Sequence, residues 1–184
     1  MAQLSTDVKR IQKNVASLTQ VHALYAAAFA ALIIISRAWN LVTVEAAWQR
    51  TIVAVIMASV VLAVWHYGKD KSKNPTYYRG LGWLLVVLDI FVATFIVFSQ
   101  RGVASRGVAL YAFAVATAAV IVSRFGLMVT TLMSIASYAV ACLVYGALHP
   151  GENYKIELYG ELAFYAAMLF VLSSLVRLVA STKR

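Results

Sequence analysis

Charge is the scarcest resource in this chain, and negative charge is scarcer than positive. Only 12% of its 184 residues are charged, with seven Asp and Glu against sixteen Lys and Arg. A soluble domain carries about 25% charged and about 45 to 50% apolar residues, so an ordinary hydrated surface cannot be assembled from this composition. With only two prolines, long stretches contain nothing that would interrupt a helix. The single cysteine, Cys142, has no second thiol to pair with, and is read as a small apolar packing residue. A Gly-rich phosphate loop, a His-Glu-x-x-His zinc helix and a Gly-x-Ser-x-Gly elbow are all missing, so no catalytic residue and no metal site is assigned, and no enzyme or cofactor is expected.

What the chain has in abundance is apolar length. Hydrophobic residues make up 62% of it and the mean hydropathy is +0.81. Runs of about 20 apolar residues are what a membrane helix needs, and six are read, near Leu18 to Ser36, Thr51 to Tyr67, Gly80 to Ser99, Val103 to Ser123, Gly126 to Leu148 and Leu158 to Ala180. The strict alternation of barrel strands occurs nowhere. The expected fold is therefore an all-α polytopic membrane protein: residues 1–17 as a short amphipathic helix, 18–180 as one compact six-helix domain, 181–184 as a basic tail. Spans four and five are separated only by Ser123, Arg124, Phe125 and Gly126, which predicts a tight hairpin with Gly126 giving the turn its freedom. No cleavable signal precedes the first span.

The basic residues set an orientation. With the N-terminus cytoplasmic, Lys9, Arg10, Lys13, Lys69, Lys71, Lys73, Arg79, Arg124, Arg177, Lys183 and Arg184 lie inside, and only Arg37, Arg50, Arg101, Arg106 and Lys155 lie outside, 11 against 5. That asymmetry predicts both termini in the cytoplasm. Trp39 and Trp48 mark the outer membrane level, and Trp65, Tyr77, Tyr78 and Trp83 the inner one. The net charge of +9 follows from topology and from attraction to anionic lipid. Basic residues spread over several membrane-flanking segments do not form the stripe that nucleic acid would need, so no nucleic-acid partner is expected.

In the first 17 residues, Leu4, Val8, Ile11, Val15 and Leu18 follow a 4-3-4-3 spacing that places them on one helix face, opposite Lys9, Arg10, Gln12, Lys13 and Asn14. Two readings stand: a basic helix lying on the inner leaflet, or a docking helix that binds a protein partner or a second copy of the chain. Small residues four apart (Ala23, Ala27 and Ala31; Ala26 and Ala30; Ala112 and Ala116) mark faces where helices can approach closely. His22 and His66 fall at the inner ends of spans one and two, where they are either polar anchors or a pair of haem or metal ligands. His149 sits beside Pro150 and Gly151 in an outer turn and is expected to be solvated.

One residue defies the pattern. Asp89 stands in the middle of the third span, in Leu84-Leu85-Val86-Val87-Leu88-Asp89-Ile90-Phe91-Val92. A carboxylate there costs about 2.5 to 3.5 kcal/mol on insertion scales, so it is expected to face the protein interior and find polar company. Counting equal depths along the other spans reaches Ser59, Ser134, Ser137, Tyr138, Ser173 and Ser174, a mid-membrane polar layer. Asp89 with Ser59, Ser137, Tyr138 and Ser174 is the candidate ligand- or proton-sensing set. Its role is either to hold the bundle together through hydroxyls or to bind, sense or relay a proton or polar ligand.

An aspartate in the third span, the outer turn Ser99-Gln100-Arg101-Gly102-Val103-Ala104-Ser105-Arg106-Gly107, and a fourth span opening Val108-Ala109-Leu110-Tyr111 together resemble the six-helix membrane input domain of bacterial sensor histidine kinases. In that family the turn commonly carries Gly-Gly and Ser-Pro; here Gly102 and Ser105 match, and Arg106 stands at the proline. The resemblance covers roughly Leu81 to Gly146. It implies an inner-membrane sensor acting through a protein partner, in the form of a detached module, a fragment or an adaptor, since no phosphoacceptor or ATP-binding region follows Ser181 to Arg184. The size, six spans and alanine-rich run Ala26-Ala27-Ala28-Phe29-Ala30-Ala31 also resemble substrate-binding subunits of energy-coupling-factor vitamin transporters. A structural subunit of a larger membrane assembly is the third reading.

Overall fold

The computed structural model describes residues 2–70, 74–102, 105–121, 123–152 and 157–182, with the side chains of 2–7, 152, 157–158 and 177–182 also left aside. The side chain of Leu4 and residues Lys183 and Arg184 of the basic tail therefore lie outside what is described. The order is α1 (Ala2–Ala38), α2 (Val44–Gly68), α3 (Pro75–Ser99), a 3-10 segment Arg106–Leu110 running into α4 (Tyr111–Ile121), α5 (Arg124–Leu148), a 3-10 turn Pro150–Glu152 and α6 (Glu157–Thr182). No strand occurs among the described residues. Helix starts are fixed by polar caps. Thr43 Oγ1 accepts from the Ala46 amide at 3.2 Å, Asn74 Oδ1 from Tyr77 at 2.9 Å, and Ser123 Oγ from Gly126 at 3.3 Å, each satisfying a donor that the first helical turn leaves open.

Among the described residues, five helices are long and apolar enough to cross a membrane: α1 from Val8, α2, α3, α5, and α6 over Tyr159–Val176. The expected fourth span is shorter. Val103 and Ala104 lie outside the described residues, and the helical stretch begins only at Arg106, as a 3-10 segment. Two further differences have local causes. Segment 1–17 is not set apart from the first span, because nothing between Ala2 and Ala38 is Gly or Pro and one helix of 37 residues, about 55 Å at ~1.5 Å per residue, runs through both. Gly126 is not a turn residue. The Ser123 cap starts α5 at Arg124, leaving Gly126 buried inside the first helical turn.

The chain divides into two compact units, Met1–Leu85 and Val86–Arg184. In the first, α1 and α2 form an antiparallel hairpin. Its turn is made by Asn40 in the left-handed region (φ 56°), with the Leu41 amide reaching back to Ser36 O at 2.8 Å and Arg37 Nη1 donating to Asn40 Oδ1 at 3.0 Å. Asparagine tolerates that conformation at a helix C-terminus. Val15, Val53, Met57, Val61 and Val64 are buried, and the far end is tied by Gln12 Nε2 donating to Gly68 O at 3.0 Å.

In the second unit α4 packs on α5 and α6. Six of its eleven residues are buried, Tyr111, Ala114, Val115, Thr117, Ala118 and Ile121, and a helix that is apolar all round suits such a central place. Polarity along α5 is inverted relative to a soluble helix. Its buried face includes Thr130, Thr131, Ser134 and Tyr138, while Met128, Leu132, Met133, Val140, Leu143 and Val144 point outward. Apolar out and polar in is the arrangement that hydrocarbon solvent favours.

The entry to α4 is tightly built. Ser105 is buried, its Oγ accepts from the Gly107 amide at 2.9 Å and donates to Gln100 Oε1 at 3.2 Å, and Gly102 has φ +59°. A Cβ on Gly107 would stand 2.6 Å from Ile96 Cγ2 and 3.3 Å from the Val97 amide nitrogen. Gly107→Ala is therefore expected to destabilise the protein by about 1 to 3 kcal/mol, as overpacking does. Gly151→Ala, with nothing within 4 Å, should stay within about 0.5 kcal/mol of the parent. Unfolding midpoints of the two variants in the same detergent make the comparison.

Candidate functional site

Asp89 lies fourteen residues from the start of α3 and ten from its end, and its side chain is 2% exposed. Thr117 Oγ1, on the buried face of α4, donates to Asp89 Oδ2 at 2.8 Å. Hydrogen bonds to carboxylates are stronger than neutral ones, and this one joins two helices. Five residues along α3, Thr94 Oγ1 donates to Ile90 O at 2.7 Å and lies 2.9 Å from Tyr111 Oη. A threonine hydroxyl has one proton, so the tyrosine is the donor in that second bond. The register of α3 on α4 is thus pinned twice, at 89/117 and at 94/111.

The same antiparallel logic continues through α5 and α6. The Tyr138 ring meets Tyr111 edge-on at 6.2 Å and Tyr165 at 5.7 Å, and Thr131 is bonded to Ser173 at 2.8 Å. Two polar levels result. One holds Thr94, Tyr111, Tyr138 and Tyr165; the other, about 7 to 12 Å along the helices at ~1.5 Å per residue, holds Asp89, Thr117, Thr131 and Ser173. Between them on α5 sits Ser134. The hydroxyls of Ser134 and Tyr138 are fully buried; neither has an oxygen or nitrogen partner among the described residues, and Tyr138 has the Cys142 thiol beside it. Buried hydroxyls are nearly always paired with protein, water or ligand. These two, one helical turn apart, retain donor and acceptor capacity inside an apolar bundle.

Of the residues named from sequence, Asp89 and Tyr138 are interior. Ser137 is half-buried, one residue off the inward face. Ser59 and Ser174 are exposed; Ser174 donates to its own helix at Phe170 O, 2.9 Å away. Neighbouring Ser173 takes the inward position instead. Depth counting gives the level of a residue but not its azimuth, and a one-residue step rotates a side chain by 100°. Thr117, Thr131, Thr94 and Tyr111 were missed because threonine and tyrosine are unremarkable in apolar helices. The available signal was their position on the α4 and α5 faces opposite the outward apolar residues.

On α1, Ile11 and Val15 of the amphipathic face are buried, while Val8 and Leu18 are half-buried. His22 is buried and Nδ1 lies 2.8 Å from Leu18 O, which requires the proton on that nitrogen. His66 is exposed beside Tyr67. With Gln12 level with Gly68, His22 lies ten residues up α1 and His66 only two back along α2, about 12 Å apart axially. The two therefore do not form the ligand pair that their place in the spans suggested, and no cluster of metal-binding side chains occurs among the described residues. His149 is exposed, closes α5 and stacks on Tyr145 at 4.2 Å.

Helices, inverted polarity and a buried carboxylate place the chain among all-helical proteins with several helices fit to cross a membrane. Compared with known proteins, it matches no family model, no curated protein and no solved structure.

Thr117→Val keeps the shape and removes the donor to Asp89, so it should lower stability by about 1 to 2 kcal/mol, whereas Thr117→Ser should keep most of it. Reversible unfolding in mixed micelles reads the difference.

Proposed function

We propose that the chain is a multi-pass protein of the bacterial inner membrane that crosses it six times, with both termini cytoplasmic, and serves as a non-enzymatic sensor or adaptor acting through a protein partner. Asp89 is its sensing group. The observation that carries this reading is the buried Asp89–Thr117 hydrogen bond, set beside the buried Ser134 hydroxyl, which has no hydrogen-bond partner among the described residues. A proton or a small polar ligand entering at this level changes the charge that α3 and α4 share, and α4 packs on both α5 and α6. The link from charge to helix packing is short, as a switch requires. In this reading α4, with its 3-10 start, crosses as a short span between the outer turn and the Ser123 cap. A 3-10 segment rises about 2.0 Å per residue and an α-helix about 1.5 Å, so residues 106–121 reach about 26 Å.

A second reading, a subunit that docks on a transporter or larger assembly, is favoured by one feature: the Ala23, Ala27 and Ala31 face of α1 is turned outward, where it is open to a close-packing helix. Purifying the native complex separates them. A kinase or response regulator supports sensing, ATPases support transport, and a repetitive assembly supports a structural role.

Orientation is tested by single-cysteine labelling in a Cys142→Ala background. Positions 71 and 183 should react from the cytoplasmic side and position 152 from the other; reaction of 183 and 152 from the same side contradicts the topology. For the sensing role, Asp89→Asn keeps size and hydrogen bonding but cannot ionise. Protection factors of α3 to α6 in lipid nanodiscs, corrected for the intrinsic pH dependence of amide exchange, should respond to acidification in the parent protein and not in Asp89→Asn. Identical pH responses in both would make Asp89 structural only.

A further inference from the structure

At the end of the α1–α2 hairpin where both helices carry lysines lies a cleft of about 430 Å³. Lys9 and Lys13 line it from α1, and Trp65 and Lys69 from α2. Val15, Ala16, Val64 and Gly68 also line it, and no carboxylate does among the described residues. Its size falls within the range of about 300 to 1,000 Å³ typical of small-molecule sites. We infer that this cleft is a binding site for the phosphate headgroup of an anionic phospholipid.

Three observations combine. The lysines supply positive charge on both walls with no carboxylate among the described lining residues, and an anionic headgroup gains from each basic residue held near it. Lys69 Nζ rests 3.4 Å from the centre of the Trp65 ring, a cation–π contact that holds the ammonium over the cleft wall. The last carbonyls of a helix repel anions, but the Gly68 carbonyl, which faces the cleft, is already occupied by Gln12 Nε2 at 3.0 Å. The choice of lipid over a free anion comes from what adjoins the lysines. Trp65 and Tyr67 are exposed there, as in an interfacial aromatic belt, and Val21, Leu24 and Leu62, further along the same two helices, are exposed and apolar. A headgroup seated among the lysines would thus lay its acyl chains on hydrocarbon.

This inference rests on the reading that the chain sits in a membrane, which flotation of the reconstituted protein with vesicles tests separately. The site itself is tested with the full chain carrying Trp65 as its only tryptophan (Trp39, Trp48 and Trp83 each changed to Phe), reconstituted in phosphatidylcholine vesicles. A minority of brominated phosphatidylglycerol should quench Trp65 at a concentration about tenfold lower than brominated phosphatidylcholine does. Combining Lys9→Gln, Lys13→Gln and Lys69→Gln should remove the preference, and Lys69→Gln alone should reduce it if the triple variant does not fold. Arg37→Gln with Arg50→Gln, at the other end of the hairpin, should leave it intact. Equal quenching by the two lipids in the parent, or a preference that survives loss of the lysines, overturns the site. Abolition of the preference by millimolar inorganic phosphate assigns the cleft to a free anion and overturns the lipid.

Discussion

A carboxylate among apolar helices has nowhere to go but inward, and this constraint organises the second unit. Asp89 could not face hydrocarbon without a penalty of about 2.5 to 3.5 kcal/mol; it is buried and receives the Thr117 hydroxyl at 2.8 Å. Once that bond fixes α4 against α3, the Tyr111–Thr94 contact follows at the next level in the same register. The tyrosine rings and the Thr131–Ser173 bond then carry the order across α5 and α6. Individually such bonds are weak in a bilayer, averaging about 0.6 kcal/mol. Their value lies in specifying which faces meet, since apolar surface alone packs almost equally well in several rotations.

The same constraint explains what could be read from sequence and what could not. Helix identity was legible wherever apolar runs were long: α2, α3, α5 and α6 begin and end within a few residues of expectation or extend it by a turn or two. Asp89 was legible because a lone charge in an apolar run has so few explanations. Two things were hidden. Residue azimuth was one: Ser59 and Ser174 have the right depth but the wrong face. Close approach was the other: the 3-10 start of α4 depends on Gly107 lying against Ile96, a tertiary contact with no local signature beyond a glycine. The Leu4-Val8-Ile11-Val15-Leu18 stripe was visible as a face, but its surroundings were not. Ile11 and Val15 are buried on the hairpin that Gln12 ties to Gly68.

Each unit places its chemistry differently. In Met1–Leu85, lysines and an exposed tryptophan at one end of the hairpin line an open cleft. In Val86–Arg184, Asp89, Thr117, Thr130, Thr131 and Ser134 are withdrawn into the core, and many Leu, Val, Met and Phe side chains of the same unit are exposed. Both arrangements are consistent with apolar helices that lie in a bilayer.

The central claim is the inverted polarity of the second unit, and α5 tests it most directly. Spin labels placed singly at Leu132, Val140 and Leu143, which point outward, and at Ser134 and Ala141, which point inward, in a Cys142→Ala background reconstituted into bilayers, report collision with oxygen and with a water-soluble nickel complex. The account predicts that oxygen relaxes the three outward labels far more effectively than nickel does, and that the inward labels are shielded from both. Nickel access at Leu132 and Val140 equal to that of oxygen would place this face in water and contradict it.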